Sequence, residues 1–401
     1  MSNKKNTNYN IQVQRTLIET PRLESDYTIQ YILTEDGLPL YEINRWLHSV
    51  SYNSYLTGKH YAYVLKHYLR FLKVKKIHYR DVQSKEVIES YIKYLLYGDE
   101  TVSDVNGQMT FNSIKQRIGI VKGFYEWLEE QGEIQNNPVK YGSKKNNKTN
   151  RTHLKSKFLY GQVWQFKIEK SPVAKLRFRK QQSHIKWYTD DEIKAILQYL
   201  PTSRDKIIFK ITLEAGTRIG ETLGIHLMDY DSEKGTLMIK KNENLENEAN
   251  AKTGERELYI SDILADEISF YIRGERAEND IHFSDYLFIN HKGDSKGKPV
   301  TPRNYLAILK RAAHKAGLDK SKIRTHSGRS TLAQILLEAL HEGEITETFI
   351  LLQMGWEDIS TLKTYTRAYN EKNRKKIAKQ ITEKRINSPG ILNKEVDQFE
   401  N

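Results

Sequence analysis

Residues 354–366 read Met354-Gly355-Trp356-Glu357-Asp358-Ile359-Ser360-Thr361-Leu362-Lys363-Thr364-Tyr365-Thr366, so a tyrosine follows a Gly-Trp pair at nine residues. Upstream, His326-Ser327-Gly328-Arg329 stands just before an apolar run that predicts a helix over about Thr331 to Leu340. Farther upstream lies Glu214-Ala215-Gly216-Thr217-Arg218-Ile219-Gly220-Glu221. There Gly216 permits a tight turn and Thr217 is placed to cap the helix that follows. Arg218 then falls in the first helical turn, where its guanidinium and the helix-end N–H groups face one anion. Glu221, three residues on, shares that face and can orient a neighbouring cation. Between these boxes, Ala251-Lys252-Thr253-Gly254-Glu255-Arg256 puts Lys252 at the tip or far side of an expected hairpin.

Each fragment alone is weak. An arginine at a helix start usually lies on the surface, a lysine on a turn is usually solvated, and the chain has 25 tyrosines. Together they suit one chemistry, phosphodiester cleavage without a metal. Fixed arginines stabilise charge on the nonbridging oxygens. A lysine or histidine can protonate the leaving 5′-oxygen. A nucleophile that forms a covalent intermediate keeps the bond energy for rejoining. A free tyrosine titrates near about 10, so two nearby arginines are expected to help ionise it.

Charge points the same way. The 401 residues carry a formal net charge of +13, which suggests an anionic partner, nucleic acid above all. Between Lys144 and Lys186 there are thirteen basic residues and one acid, Glu169. The cluster opens with Lys144, Lys145, Lys148 and Arg151, candidate phosphate contacts. Phe158, Tyr160, Trp164, Phe166 and Phe178 lie among these bases and are expected to pack on a domain rather than on DNA. There is no cysteine, so disulfides and thiolate metal sites are excluded and a reducing compartment, the cytoplasm, is expected. No apolar run is long enough for a membrane span, and the basic N-terminus lacks the apolar core of a secretory signal.

Patterning divides the chain. Residues 1–40 predict an N-terminal arm or β-hairpin, with Tyr27 to Leu33 as a strand and Asp36-Gly37 as a turn. Residues 41–132 predict an α-helical domain of four or so helices. Its apolar stripes are Leu65, Tyr68, Leu69 and Leu72, then Ile88, Tyr91, Ile92 and Leu95, then Ile114, Ile118, Val121, Tyr125 and Leu128. Residues 133–186 read as a basic linker, with Asn136-Asn137-Pro138 at its start. A second domain, 187–370, starts with a helix capped by Thr189, continues through strands at Thr236–Lys240 and Glu255–Ile260, and ends in helices. Residues 371–401 predict a separate basic helix and tail, with Ile377, Ile381 and Ile386 on it.

The order Arg218, Lys252, His326-x-x-Arg329, Trp356, Tyr365 resembles the tyrosine recombinase (phage integrase) family over about 187–370. Thr34-Glu35-Asp36-Gly37-Leu38-Pro39 followed by helices further resembles a transposon-encoded, transposase A-like subgroup. The resemblance implies a mainly α fold with a small β-sheet. An α-helical, SAM-like core-binding domain and a mixed α/β catalytic domain would close a C-shaped clamp on double-stranded DNA. It implies Tyr365 as nucleophile, Arg218 and Arg329 on the phosphate, His326 and Trp356 in support, and Lys252 as general acid. Lys240 and Lys241 stay open as alternatives to Lys252, because the hairpin loop is long. It also implies no cofactor, a homotetramer on synapsed DNA, accessory proteins, and a C-terminal segment docked on a neighbouring protomer. Two positions depart from the common pattern: Met354-Gly355-Trp356 stands for Leu-Gly-His, and Ser330 rather than His follows Arg329. The competing readings are a type IB-like topoisomerase, which shares the chemistry, and a catalytically inactive DNA-binding protein.

Overall fold

The computed structural model describes residues 10–19, 27–52, 54–98, 109–139, 187–242, 244–251 and 254–386. The chain forms two compact units, 1–181 and 182–401.

In the first unit, β1 (Ile11–Glu19) and β2 (Tyr27–Glu35) pair antiparallel, with Ile11 opposite Glu35 and Glu19 opposite Tyr27. A short β3 (Leu38–Pro39) turns back on β2. Asp36 and Gly37 make that turn with φ of +49° and +85°, the paired positive φ that Asp-Gly supplies at low cost. Four helices follow: α1 (Tyr41–Ser51), α2 (Tyr55–Val74), α3 (Lys85–Tyr97) and α4 (Phe111–Glu130). The apolar stripes read from the sequence are the buried faces of α2, α3 and α4. Three tyrosines bring polar groups into this core. The Tyr125 hydroxyl donates to the Tyr79 carbonyl at 3.0 Å, and the Tyr68 hydroxyl lies 2.9 Å from the Tyr125 oxygen. Buried hydroxyls are thereby satisfied rather than stranded.

Asn44 of α1 stitches the hairpin to the helices. Its Oδ1 accepts from the Leu33 N–H at 2.8 Å, and its Nδ2 donates to the Leu33 carbonyl at 3.0 Å.

In the second unit, α5 (Asp190–Tyr199) starts with a reciprocal cap between Thr189 and Glu192. After α6 (Ser203–Glu214) and the five-residue α7 (Ile219–Leu223) comes a small antiparallel sheet. Its strands are β4 (Tyr230–Asp231), β5 (Thr236–Ile239) and β6 (Arg256–Tyr259), in the order β4-β5-β6, with Ile239 opposite Arg256. Helices α8 (Asp262–Tyr271), α9 (Pro302–Lys315), α10 (Ser327–Glu342), α11 (Glu347–Met354) and α12 (Ile359–Ile386) complete it. One core gathers Ile208, Leu223, Leu237, Leu258 and Phe288. A second, smaller one holds Ala333, Leu337, Ile350, Met354, Trp356, Leu362 and Tyr365. The fold is mainly helical with small antiparallel sheets, as the sequence predicts.

Two expectations need correction. The helix after His326 starts at Ser327, so Arg329 lies inside its first turn rather than ahead of it. The separate C-terminal helix expected from Glu371 is the far half of α12, which also carries Tyr365. No Gly or Pro falls between 359 and 386, so nothing in the chain breaks that helix. Among the described residues, no helix is long and apolar enough to cross a membrane.

The Asn44 clamp generates a stability prediction. Asn44→Ala leaves the Leu33 N–H without its partner, while the Leu33 carbonyl keeps the Leu40 N–H at 3.0 Å, and should cost about 1–3 kcal/mol. The urea midpoint should drop at an unchanged m-value; an unchanged midpoint would mean the hairpin holds without the clamp.

Candidate active site

The site starts at Gly216. Its φ is +64°, and a Cβ there would lie 2.7 Å from Leu332 Cδ2 and 3.0 Å from Met354 Sδ. Only glycine makes this turn in this space. The turn leaves Arg218 extended at the N-cap of α7. The expected Thr217 cap is not formed: the Thr217 hydroxyl pairs with the Thr222 hydroxyl at 2.7 Å. Glu221 acts at the helix start instead, accepting from the Arg218 N–H at 2.9 Å.

The same carboxylate gathers the arginines. Its Oε1 accepts from Arg218 Nη1 at 2.7 Å, and its Oε2 accepts from Arg256 Nη2 at 2.8 Å. Arg329 Nη1 lies 4.0 Å from Oε2. The Glu221 side chain has no exposed surface. Burial pushes its carboxyl up, but the hydrogen bonds and charge of Arg256, then of Arg218, outweigh this and hold it at about 2. Three guanidinium groups therefore surround one carboxylate, leaving local positive charge in a nearly dry site.

Arg329 has no solvent exposure. Its Nη1 and Nη2 donate to the carbonyls of Gly216 and Met354. Its Cζ stands 5.7 Å from the centre of the Trp356 ring, a cation–π contact. Its Nε has no partner among the described residues. Burial and the Arg218 charge lower it to about 10, so it stays a cation at neutral pH. Gly328, next to it, lets α10 press on α6: a Cβ there would meet Thr212 Oγ1 at 2.3 Å.

Tyr365 closes the cluster from α12. Its hydroxyl lies 2.7 Å from His326 Nε2, and its ring stacks on Trp356 at 4.9 Å between centres. Burial raises the phenol above its ordinary range, while Arg329, the Ser330 hydroxyl and Arg218 pull it down without cancelling that rise. The two arginines act in the expected direction, but burial outweighs them and the free site holds a protonated phenol. His326 is exposed at the surface, yet the protein packed against one side of its ring, then the Arg329 and Arg218 charges, lower its imidazole to about 4. It is neutral at pH 7. With its proton on Nδ1, Nε2 accepts from the phenol.

The structure thus brings together Arg218, Glu221, His326, Arg329, Trp356 and Tyr365. Lys252 lies outside the described residues, as do Lys144, Lys145, Lys148 and Arg151. Lys240 makes a 2.6 Å ion pair with Asp229. The sequence reading missed Arg256. Its only signal was its place at the start of a strand, and its partner is 35 residues away. Among the described residues, no group of three or more His, Asp or Glu is placed to hold a metal ion.

Residues 186–372 match the phage integrase family. This chain carries a phage integrase, or tyrosine recombinase, domain. The integrase domain and the residues before it also align with curated relatives. Transposase A from transposon Tn554 of Staphylococcus aureus is 27% identical over 318 residues, covering 77% of this chain and 81% of that protein. Tyrosine recombinase XerC of Listeria welshimeri is 25% identical over 349 residues, covering 84% and 96%. Tyrosine recombinase XerA of Thermococcus kodakarensis is 29% identical over 189 residues, covering 47% and 60%. Two solved structures share the fold. The Tn1549 transposon integrase in complex with a circular intermediate DNA superposes with a TM-score of 0.53 at 13% identity, covering 81% of this chain and 93% of that one. XerH recombinase bound to a palindromic difH substrate gives 0.52 at 15%, covering 81% and 80%.

The depressed histidine sets a pH test. Folding lowers His326 from 6.5 to about 4, so between those values the folded state binds fewer protons than the unfolded one. Stability from this group is full above pH 6.5 and falls as pH drops toward 4. An NMR titration of the free protein should give His326 a midpoint near 4. A midpoint at or above 6.5 would contradict the depressed imidazole, and His326→Gln should flatten the acid-side loss of stability.

Proposed function

We propose that this chain is a site-specific DNA recombinase that cuts and rejoins DNA through Tyr365, for integration, excision or transposition of a mobile element. The observation that carries the reading is the 2.7 Å contact between the Tyr365 hydroxyl and a neutral His326, inside a ring of arginines held by Glu221. A protonated phenol needs a base, and His326 is the base in contact with it.

In the proposed reaction, the Tyr365 oxygen attacks the scissile phosphorus and its proton passes to His326 Nε2. The bond from phosphorus to the 5′-oxygen breaks, and Lys252 protonates the leaving oxygen. The product is a 3′-phosphotyrosyl bond and a free 5′-hydroxyl. A 5′-hydroxyl from a second duplex then attacks the phosphotyrosyl bond and releases Tyr365. One phosphodiester is exchanged for another, so the steps need no nucleotide. Arg218, with its side chain a quarter exposed, meets the nonbridging oxygens. Arg329 adds fixed charge from below, and Trp356 holds the phenol ring by stacking.

The rest of the chain is assigned by the same reading. Residues 41–132 bind one face of double-stranded DNA, behind the 1–40 hairpin, and 187–370 bind the other. The basic linker, 133–186, joins them into a clamp, and Lys144, Lys145, Lys148 and Arg151 neutralise phosphates. Four protomers act on two synapsed sites in the cytoplasm, with residues 371–401 docking between neighbours. The relatives named as transposase and recombinases favour strand exchange over topoisomerase-like relaxation.

Tyr365→Phe removes one oxygen. It should keep DNA affinity and abolish the covalent protein–DNA adduct on element-end duplexes. An adduct formed by the variant would move the nucleophile elsewhere, Tyr369 first.

The linker gives a separate test. Changing Lys144, Lys145, Lys148 and Arg151 to Gln should weaken binding to specific and random DNA alike. The slope of log affinity against log salt should flatten by roughly 0.9 for each phosphate that is no longer neutralised. Weakening confined to the specific site would make these residues readers of bases or shape.

A further inference from the structure

Arg256 is the one arginine of the cluster that the proposed reaction leaves without a task. It opens β6, four residues beyond Lys252, and its side chain is only 10% exposed. Its Nη2 donates to Glu221 Oε2 at 2.8 Å. Its guanidinium also lies against Gly355, in the turn that leads into Trp356. A Cβ on Gly355 would sit 2.9 Å from Arg256 Cζ and 2.9 Å from Nη1, so this position has room for the guanidinium only because it is glycine. One side chain thus touches the α7 helix start and the turn before Trp356.

We infer that Arg256 is a positioning residue for the strand-transfer chemistry, acting through Glu221 on Arg218. This rests on the proposed recombinase function. The argument is geometric. Glu221 is fully buried, so no water can replace a missing partner. Arg256 draws Oε2 to one side, and this fixes the carboxylate plane that presents Oε1 to Arg218 Nη1 at 2.7 Å. Without Arg256, Oε2 keeps the Arg218 N–H at 2.9 Å but loses its closest side-chain cation, and among the described residues Arg329 Nη1 at 4.0 Å is the next one. The carboxylate is then drawn toward Arg329 while pivoting on the Arg218 N–H, which loosens the Oε1 bond that aims the Arg218 guanidinium. Lysine offers the charge but not the flat fork that meets Glu221 and Gly355 together.

The test uses the full chain, with Arg256→Gln, Arg256→Lys and Glu221→Gln, and a nicked duplex bearing the cleavage position mapped for the wild type. Arg256→Gln should leave DNA affinity within about twofold and slow single-turnover cleavage by about 100-fold, the scale of a misaimed catalytic group. Arg256→Lys should recover part of that rate. Arg256→Gln with Glu221→Gln should be no slower than Glu221→Gln alone, because the two act in series. A substrate with a methylphosphonate at the scissile position lacks the nonbridging charge that Arg218 meets, so on it the Arg256→Gln defect should shrink. A wild-type rate in Arg256→Gln, or multiplying defects in the double variant, would overturn the assignment.

A second measurement needs no DNA. The Arg218 guanidinium 15N signals of the free protein should show restricted rotation in the wild type and averaging in Arg256→Gln. Restricted rotation persisting in the variant would overturn the positioning role while leaving the recombinase reading intact. Absence of any wild-type adduct would sink that reading instead, and the guanidinium signals would still decide the link from Arg256 to Arg218.

Discussion

A carboxylate buried among three guanidinium groups is the constraint around which the second unit is arranged. Glu221 has no solvent, so its charge is tolerable only while the arginines stay in place. The arginines in turn are three like charges in a small volume, and only the carboxylate lets them lie so close together. Each element that reaches the cluster is therefore held by it: α7 through Arg218, β6 through Arg256, and α10 through Arg329. Such a device is a poor source of net stability, since a well-packed apolar core of the same volume could serve as well. In the proposed function its use lies in the excess positive charge left for a phosphate.

The glycines follow from that packing. Gly216, Gly328 and Gly355 are three places beside the cluster where a Cβ would strike a neighbouring side chain, respectively Leu332, Thr212 and Arg256. Gly216 and Gly355 also take positive φ. The Met354 carbonyl and the Gly216 carbonyl, both at such turns, are the acceptors for Arg329. The backbone is bent at these points so that main-chain oxygens, and not further acids, satisfy the deepest arginine. That choice keeps the cluster positive. A second buried acid there would cancel the charge that the proposed phosphate binding uses.

Much of this was legible in the sequence because its determinants are local. The apolar stripes of α2, α3 and α4, the Asp36-Gly37 turn and the Thr189 cap are each set within one or two helical turns. The spacing of His326 to Arg329 and of Trp356 to Tyr365 likewise needs only the chain itself. What was not legible depends on partners far apart. Arg256 matters because β6 lies in register with β5 and so carries it to Glu221. The Thr217 cap was misread because Thr222, buried beside it, offered a better partner than the helix N–H. The pull of the arginines on the Tyr365 phenol was legible because residue types report nearby charge, whereas the burial that outweighs it comes from the folded core.

The protonated phenol gives the cluster its order of events. Tyr365 belongs to a small apolar core with Leu337, Ile350 and Trp356, so its hydroxyl is kept from water and from casual reaction. Burial and the arginines act on it in opposite directions. A phosphate entering beside Arg218 would neutralise part of the positive charge that now suppresses the basicity of His326. The imidazole would become a stronger proton acceptor as the substrate arrives, at the contact already set to 2.7 Å from the phenol. The same arginines that hold the phosphate would thus keep the base weak until the phosphate is there. On this argument the proposed nucleophile is armed by the substrate's charge, and a strand nick in the absence of a seated phosphate is disfavoured by the electrostatics of the free site.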